Sequence, residues 1–305
     1  MTIIHGTDFN IENPTAVTIG KFEAIHKGHQ LLLHHAEQYR KKGYSPVLFT
    51  FDTHPEKQLG QEDVRLIYSR EEKKLILTKF DLDYIIEYPF TGELINMSPR
   101  QYFEDILINR LNAKVVIVGE EFRFGHNRSG DVTTLESLAY EYKIKIDVVN
   151  SQCIDRSKIS SSIIRDVIHK GYMENAADML GRPYFIYGEV VHGRQLGRTI
   201  GMPTINVIPD KDKVLPPMGV YASIVTIDNM QYKAVTNIGM KPTVGEDNAV
   251  SAESYIFDFN RDVYGKNVRI DLLHFQRPEK KFDSIDALRE QMQDDKEKAL
   301  SILNR

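Results

Sequence analysis

Apolar and polar positions in the first part of the chain follow two alternating patterns, short apolar runs and longer amphipathic segments. The apolar runs predict strands: TAVTIG (15–20), SPVLFTF (45–51), DYIIEY (83–88), KVVIVG (114–119) and KIKIDVV (143–149). The segments between them predict helices: LLLHHAEQYRKKG, EEKKLILTKF and SPRQYFEDILINRL. Strands separated by helices pair in parallel, so residues 1–182 are predicted to form a doubly wound parallel α/β sheet. Such sheets bind ligands beyond the carboxyl ends of their strands.

The third predicted helix carries the clearest local signals. Ser98 is the expected N-cap, and Pro99 suits the first helical position. Its apolar residues recur at the spacing that makes one buried face: Tyr102, Phe103, Ile106, Leu107 and Leu111.

Near residue 182 the pattern changes to strands without intervening helices. MENAADMLGRPY predicts the end of a helix, with Gly181 at the C-cap side and Pro183 beyond it. The runs that follow predict an antiparallel β-barrel or a sandwich: YFIYGEVVHG, MPTINVI, GVYASIVTI, QYKAVTNIG, ESYIFDF and NVRIDLLHF. A terminal helix is predicted from about Ser284 to Leu303, and its apolar residues, expected to face the barrel, are Ile285, Leu288, Met292, Leu300 and Leu303. We predict two domains, residues 1–182 and 183–305.

Composition narrows the class of protein. The 305 residues carry 39 Lys and Arg against 43 Asp and Glu, a formal net charge of −4, which weighs against nucleic acid as the main partner. Cys153 is the single cysteine, so neither an intrachain disulfide nor a cysteine-based zinc site can form. No apolar stretch approaches the roughly 18 residues of a membrane span, and the first residues lack the pattern of a signal peptide. We expect a cytoplasmic protein without a membrane partner.

Two histidines, His26 and His29 in GKFEAIHKGHQ, follow the first predicted strand. A metal site is a weak interpretation, because zinc needs three or four ligands and nothing nearby completes the set. Solvated loop histidines are the ordinary alternative. The position favours an anion site, because Gly28 and His29 stand at the predicted start of a helix, where backbone N–H groups and the helix dipole attract phosphate.

A second candidate anion site is SKISSSIIRDVI (157–168), a serine run with basic residues on both sides. Its candidate residues are Lys158, Ser160, Ser161, Ser162 and Arg165, the last expected in the first turn of a helix. A plain serine N-cap is the alternative, and it explains one of these residues. The strand KVVIVG also ends in a loop rich in glycine and aromatic residues (120–131), again at a carboxyl end.

The segment GEVVHGRQLGRTIGMPTIN (188–206) is a third candidate site. It is not a P-loop, since G-x-x-x-x-G-K-[ST] is absent from the sequence. Glycines recur at four-residue spacing with arginines between them: Gly193, Arg194, Gly197, Arg198 and Gly201. A glycine-rich hairpin turn is the alternative to a loop whose N–H groups wrap phosphates. Thr204 and Asn206 then offer hard oxygen ligands of the kind that Mg²⁺ accepts beside ATP.

The first part of the chain resembles a known family. GKFEAIHKGH, TFDTHP (50–55), VGEEFRFG with SGD, and ISSSIIR are similar to the adenylyltransferase half of prokaryotic bifunctional riboflavin kinase/FAD synthetase. The resemblance implies that an FMN phosphate oxygen attacks the α-phosphate of ATP, which gives FAD and pyrophosphate. It also implies that His26 and His29 bind the ATP phosphates and stabilise the charge that develops.

The same resemblance implies two sets of binding residues. The ATP set is Gly20, Phe22, Gly28, Lys158, Ser160, Ser161, Ser162 and Arg165. The flavin set is Glu121, Phe122, Phe124 and Asp131, whose aromatic rings would either stack on isoalloxazine or pack the core. Glu23 and Ala24 depart from the family, which usually has aspartate and glycine there, and Ser162 replaces a common threonine. A stiffer turn at Ala24 would slow the transferase.

The second part resembles the riboflavin kinase family, whose pattern runs G-x-x-x-G-R-x-x-G-x-P-T-x-N. The match continues with PPMGVY (216–221), TNIGMKPT (236–243), AESYIFDF (252–259) and YGKNVRIDLLHF (264–275). In that family the glutamate of AESY, here Glu253, is the general base for the ribityl 5′-hydroxyl. From the pattern alone, a base and a solvent-facing strand glutamate are even alternatives. The resemblance also implies Mg²⁺ at Thr204 and Asn206.

The leading hypothesis is a bifunctional enzyme that uses ATP and Mg²⁺ to convert riboflavin to FMN and FMN to FAD. A second is a kinase whose transferase half is slow or inactive. A third makes the first domain a flavin- or nucleotide-binding regulatory module in contact with RNA, which the charge disfavours. Class I aminoacyl-tRNA synthetases share the H-x-G-H turn, but this chain has no evident tRNA-binding appendage.

Overall fold

The computed structural model describes residues 1–52, 65–150, 153–154, 157–193, 197, 201–241 and 249–304. The chain divides into two compact units. The sheet unit consists of Met1–Val64 and Lys73–Ile159, and the barrel unit of Arg65–Glu72 and Ser160–Arg305. In the described part of the chain, no helix has both the length and the apolar character needed to cross a membrane.

Within the described residues of the sheet unit, six parallel strands form one sheet in the order β1-β4-β3-β2-β5-β6. They are β1 (Thr2–His5), β2 (Thr15–Ile19), β3 (Ser45–Phe51), β4 (Tyr84–Tyr88), β5 (Ala113–Gly119) and β6 (Lys145–Val149). The helices along this part of the chain are α1 (Lys27–Gln38), α2 (Arg70–Leu77), α3 (Gly92–Asn96), α4 (Pro99–Gln101, continued by Tyr102–Arg110) and α5 (Val132–Tyr142). A short antiparallel pair follows, β7 (Cys153–Ile154) and β8 (Ser157–Lys158). The predicted doubly wound parallel sheet is confirmed.

The apolar runs become central strands because both faces of the sheet are covered. Every residue of β2 is buried. Helix α4 begins at Pro99–Gln101, where Ser98 and Gln101 form a capping box, and continues in π-helical geometry over Tyr102–Arg110. The predicted apolar face of α4 is confirmed, since these residues all lie in the core of the unit: Tyr102, Phe103, Ile106, Leu107 and Leu111.

The described strands of the barrel unit form a closed antiparallel barrel in the order β10-β13-β12-β11-β14-β9. They are β9 (Tyr184–Val191), β10 (Thr204–Val207), β11 (Gly219–Ile227), β12 (Met230–Lys241), β13 (Ala249–Ile256) and β14 (Asn267–Pro278). Helices α6 (Ser161–His169) and α7 (Met173–Leu180) precede them. Gly181 is the C-cap of α7, as predicted, and it adopts the left-handed conformation. The barrel is therefore confirmed over a sandwich.

The terminal helix α8 (Ile285–Leu303) begins after its N-cap, Ser284. Leu300 and Leu303 pack against the barrel as predicted. Leu288 and Met292 line a cavity of the barrel unit. The expectation was wrong for Ile285, which occupies the first helical position and is 60% exposed.

The barrel unit also buries an ion pair. Lys213 Nζ lies 2.6 Å from Glu72 Oε2 and donates to the Ile67 carbonyl at 2.9 Å. Glu72 Oε1 accepts from the backbone N–H of Tyr187 at 2.9 Å, and the Tyr184 ring centroid lies 4.5 Å from the ammonium. Burial lowers the pKa of Lys213, and the Glu72 charge opposes this shift. These bonds fasten residues 65–72 within the barrel unit.

Candidate active sites

The first candidate site is the turn between β2 and α1 in the sheet unit. Helix α1 begins at Lys27, with His26 as its N-cap residue. The Nδ1 atom of His26 accepts a hydrogen bond from the backbone N–H of His29 at 3.3 Å. A nitrogen that accepts carries no proton, so neutral His26 holds its proton on Nε2. Both predicted histidines therefore belong to the helix start, one as the cap and one as the capped residue.

Three rings stack at this helix start. The ring centroids of His26 and His29 lie 3.8 Å apart at an interplanar angle of 15°, and Phe22 stacks on His29 at 4.6 Å. Two glycines give these rings room: a Cβ on Gly20 would lie 3.1 Å from the Phe22 ring, and one on Gly28 would lie 3.3 Å from the His26 ring. The structure thus brings five of the predicted residues together.

The same turn is buried and strained. Phe22 and Ile25 hold φ angles of +45° and +44°, a conformation that costs about 1–3 kcal/mol for each non-glycine residue. Gln30 Nε2 donates to the Ile25 carbonyl at 2.8 Å and fixes its orientation. Ala24 is fully buried and Glu23 is 7% exposed. The left-handed angles of this turn fall on Phe22 and Ile25 and not on Ala24, so they do not demand glycine at that position.

Lys73, which no sequence motif indicated, lies at the same edge of the sheet. Lys73 Nζ donates to Thr50 Oγ1 at 3.0 Å and to the Lys21 carbonyl at 3.3 Å. The Thr50 hydroxyl also donates to the Lys21 carbonyl, at 3.0 Å. Lys73 therefore joins the carboxyl ends of β2 and β3 and places a positive charge where doubly wound sheets bind ligands.

The loop after β5 holds the predicted flavin set. The rings of Phe122 and Phe124 stack at 5.5 Å, and Phe124 belongs to the core of the unit. Asp131 is the N-cap of α5, and its Oδ1 accepts from the N–H and the hydroxyl of Thr134, both at 2.8 Å. These bonds lower the pKa of Asp131. Core packing thus explains Phe124, and helix capping explains Asp131. Glu121 is exposed and Phe122 is half-buried.

The predicted serine segment forms the start of α6, in the barrel unit. Ser160 is the N-cap and accepts from the backbone N–H of Ile163 at 3.4 Å. Arg165 lies one full turn after the first residue, Ser161, and so beyond the first turn in which it was expected. Its Nε donates to the Arg65 carbonyl at 3.1 Å. For Lys158 the structure describes only the backbone, in β8.

The second candidate site lies where three neighbouring barrel strands align polar residues. Asn206 on β10 pairs with Glu253 on β13, which in turn pairs with Asn237 on β12. The hydroxyl of Thr204 donates to Glu253 Oε1 at 2.6 Å. The structure therefore brings Thr204, Asn206 and Glu253 together as predicted. Asn237 was not among the predicted site residues, although it lies in TNIGMKPT, one of the segments that carry the resemblance.

The glycines of the predicted phosphate loop are positions of close approach. A Cβ on Gly193 would lie 2.3 Å from the amide nitrogen of Asn206, and one on Gly197 would lie 2.2 Å from a backbone carbonyl oxygen. Gly201 has a φ of +76°. Side chains would clash at the first two positions and strain the third. Arg194 and Arg198 lie outside the described residues.

Two cavities of the barrel unit share Thr204. The first, about 430 Å³ in volume, is lined by Glu253 and Asn237 and by apolar residues that include Val220 and Met292. The second, about 370 Å³, has a mixed lining: Val190, Ile205, Phe259, Arg261 and Tyr264. An apolar cavity with a few convergent polar groups is typical of a small-molecule site.

Comparison with known proteins assigns each part of the chain to a family. Residues 8–163 match the model of a family described as FAD synthetase. Residues 180–303 match the model of a family described as riboflavin kinase. The two matches follow each other along the chain in the order of the sheet and the barrel.

Curated proteins resemble the chain over nearly its whole length. A bifunctional riboflavin kinase/FMN adenylyltransferase from Listeria monocytogenes is 32% identical over 95% of this chain and 92% of its own length. The protein of the same name from Bacillus subtilis is 34% identical over 94% of this chain and 92% of its own length. A crystal structure titled as a macrolide-efflux protein from Streptococcus pneumoniae is 30% identical, has a TM-score of 0.86, and covers 97% of this chain and 98% of its own.

Proposed function

The chain belongs to the bifunctional riboflavin kinase/FMN adenylyltransferase family, and from that premise we propose which residues perform each reaction. The enzyme phosphorylates riboflavin to FMN and then transfers the adenylyl group of ATP to FMN, giving FAD and pyrophosphate. The observation that carries the kinase assignment is the 2.6 Å hydrogen bond between Thr204 and Glu253, beside two cavities that share Thr204.

In the kinase reaction, the cavity that contains Glu253 takes riboflavin and the second cavity takes ATP. The apolar lining of the first suits the isoalloxazine ring. Glu253 is the general base: its carboxylate, oriented by the Thr204 hydroxyl, accepts the proton of the ribityl 5′-hydroxyl as that oxygen attacks the γ-phosphate. ADP is the leaving group. The phosphates lie against the loop of Gly193, Arg194, Gly197, Arg198 and Gly201.

The donor set at the junction of the cavities fits Mg²⁺. The Thr204 hydroxyl and the amide oxygen of Asn206 are hard oxygen ligands, and Asn206 is 3% exposed. These two residues would hold the ion beside ATP. When bound, the ion neutralises phosphate charge during transfer.

In the adenylyltransferase reaction, His26 and His29 bind the ATP phosphates at the start of α1. Neutral His26 carries its proton on Nε2, so that nitrogen can donate to a phosphate oxygen while Nδ1 keeps the helix cap. Positioning and charge stabilisation suffice for this step, and no covalent intermediate is required. Gly20, Phe22 and Gly28 shape the turn.

The remaining phosphate contacts of this reaction come from the segment around α6. Its residues are Lys158, Ser160, Ser161, Ser162 and Arg165. Hydroxyls, helix N–H groups and a guanidinium are a suitable clamp for phosphate. For FMN, Glu121 and Phe122 offer accessible surface after β5, while Phe124 and Asp131 support that loop through packing and capping.

We also set the domains at residues 1–182 and 183–305. The kinase family match that begins at residue 180 supports this boundary, whereas the compact units divide after Ile159. We take riboflavin, FMN and ATP as partners, Mg²⁺ as the cofactor and the cytoplasm as the location.

The test is a product analysis of the purified full chain. The protein is incubated with Mg²⁺ and ATP and with either riboflavin or FMN, and the flavins are resolved by chromatography. We expect FMN and FAD from riboflavin, and FAD from FMN. Formation of FMN without FAD would leave only the kinase, and formation of neither would favour a regulatory module.

A further inference from the structure

The terminal helix α8 provides one wall of the cavity that contains Glu253. Leu288 and Met292 are its apolar contributions, opposite barrel residues such as Val220, and Asp295 lines the same cavity together with Arg277 of β14. Both side chains are half-buried, and the fully buried residues of α8 are Asp295 and Ala299. The part of the helix that lines the cavity is thus held chiefly at Asp295.

Asp295 is tied to β14 by a two-pronged ion pair. Arg277 Nε donates to Asp295 Oδ1 at 2.9 Å, and Arg277 Nη2 donates to Oδ2 at 2.7 Å. Gln291 Nε2 donates to Oδ1 at 3.2 Å. The Asp295 side chain is 3% exposed and that of Arg277 is 20% exposed. A bidentate guanidinium–carboxylate pair fixes both distance and angle, and a buried carboxylate without its partner is strongly disfavoured.

The far end of α8 has a separate attachment. Ala299 packs with the barrel residues Ala222 and Phe257, and Leu300 and Leu303 pack against the same cluster. The helix therefore stays attached to the barrel when the ion pair is broken. What is lost is the fixed position of Leu288 and Met292, which precede Asp295 along the helix.

We propose that Arg277 and Asp295 are positioning residues of the kinase, which hold the α8 wall at the spacing that a planar flavin ring requires. They act on riboflavin chiefly through the position of Leu288 and Met292, although they themselves also line the cavity. They do not act on the proton transfer at Glu253 or on ATP. The proposal rests on the assignment of this cavity to riboflavin.

The proposal predicts a split between KM and kcat. Asp295→Asn and Arg277→Gln each raise the KM for riboflavin by about tenfold, because the wall no longer keeps its spacing. The kcat at saturating riboflavin and the KM for ATP stay within about twofold. Arg277→Lys, which keeps the charge without the fork, has an intermediate effect. The double variant raises the KM for riboflavin no further than either single variant, because each single substitution already removes the contact between Arg277 and Asp295.

The matched control lies on the same helix. Asp286 faces Arg289 at 3.9 Å, and both side chains are exposed, so Asp286→Asn is expected to leave every constant unchanged. Unchanged KM values for riboflavin in Asp295→Asn and Arg277→Gln would overturn the proposal. So would a fall in kcat together with a rise in the KM for ATP, which indicates general damage to the barrel.

A binding measurement separates this proposal from the assignment of the cavity. Calorimetric titration of the wild-type chain and of Asp295→Asn with riboflavin gives Kd values that do not depend on turnover. Weaker binding by about tenfold in the variant supports the positioning role even if the wild-type chain forms no FMN. Equal Kd values overturn it, and so does a wild-type chain that does not bind riboflavin.

Discussion

The hydroxyl of Thr204 donates a 2.6 Å hydrogen bond to Oε1 of Glu253 across two paired strands of the barrel. The bond holds the carboxylate in one orientation and supplies a donor to its charged form. A carboxylate that accepts such a bond is placed for a proton from a bound hydroxyl, which is the role proposed for the kinase base.

Replacing Thr204 by valine keeps the shape of the side chain and removes both this donor and one of the two proposed Mg²⁺ ligands. Hydrogen bonds to charged groups contribute about 1.5–3 kcal/mol, so we expect kcat/KM for FMN formation to fall by roughly ten- to a hundredfold. Thr204→Ser keeps the hydroxyl and is the control, with a much smaller loss. Steady-state kinetics of both variants measure the difference. Equal activities of the valine variant and the wild type would show that the bond has no part in the reaction.

His26 has two roles that one pair of variants separates. As N-cap it accepts the His29 N–H, and replacing a capping residue by alanine costs about 1 kcal/mol of stability. Asparagine is a good N-cap, so His26→Asn should keep the unfolding midpoint near that of the wild type while His26→Ala lowers it. Both variants should lose FAD formation, because neither supplies the ring N–H to phosphate. If His26→Asn formed FAD as the wild type does, His26 would act only as the N-cap of α1.

Lys73 is expected to matter for FAD formation and not for FMN formation. Its ammonium joins Thr50 and the Lys21 carbonyl at the carboxyl edge of the sheet, so Lys73→Met removes a positive charge and loosens two strand ends. We expect a loss of about tenfold or more in kcat/KM for FMN adenylylation. The neighbouring Lys74 is exposed, and Lys74→Met is the matched control. If both variants had the same kcat/KM for FMN adenylylation, Lys73 would have no specific role in the reaction.

The buried pair of Glu72 and Lys213 is expected to govern the stability of the barrel unit. Glu72→Gln leaves the Lys213 ammonium buried without a counter-charge, at a cost of about 3–5 kcal/mol. The double variant Glu72→Gln/Lys213→Met removes both charges and should recover part of that loss. Urea unfolding of the full chain measures each value. A single variant as stable as the wild type would contradict this role.

The same pair predicts the sign of a pH effect. Burial lowers the pKa of Lys213 from its ordinary value of 10.5, so the unfolded chain binds more protons between the folded pKa and that value. The free energy of unfolding therefore rises with pH across this window. In Lys213→Met, the free energy of unfolding should not rise with pH across this window.

Much of the fold could be predicted from the spacing of the apolar runs. In the first part of the chain these runs alternate with amphipathic helical segments, and in the second part they follow one another without helices between them. Strand β1 was missed because Thr2–His5 is short, lies at one edge of the sheet and has no fully buried residue. Helix α5 was not predicted, although Asp131 as N-cap was a signal. The apolar face of α4 was predicted correctly, but its π-helical winding has no counterpart in residue spacing.

The sequence indicated which residues belong to the candidate sites, but it did not indicate which of them are in contact. Motifs selected Thr204 and Glu253, which are far apart in sequence, and only the barrel register brings them within 2.6 Å. Lys73 was missed because EEKK contains two lysines that the pattern cannot distinguish. Ala24 stood out as a departure from glycine, yet the left-handed angles of that turn fall on Phe22 and Ile25.

His29→Ala and Glu253→Gln test whether one chain holds two separate transfer sites. Each variant is assayed with ATP and Mg²⁺ for FMN formation from riboflavin and for FAD formation from FMN. We expect His29→Ala to abolish FAD formation and preserve FMN formation, and Glu253→Gln to do the reverse. Loss of both activities from one substitution, in a chain that is still folded, would contradict the presence of two separate sites.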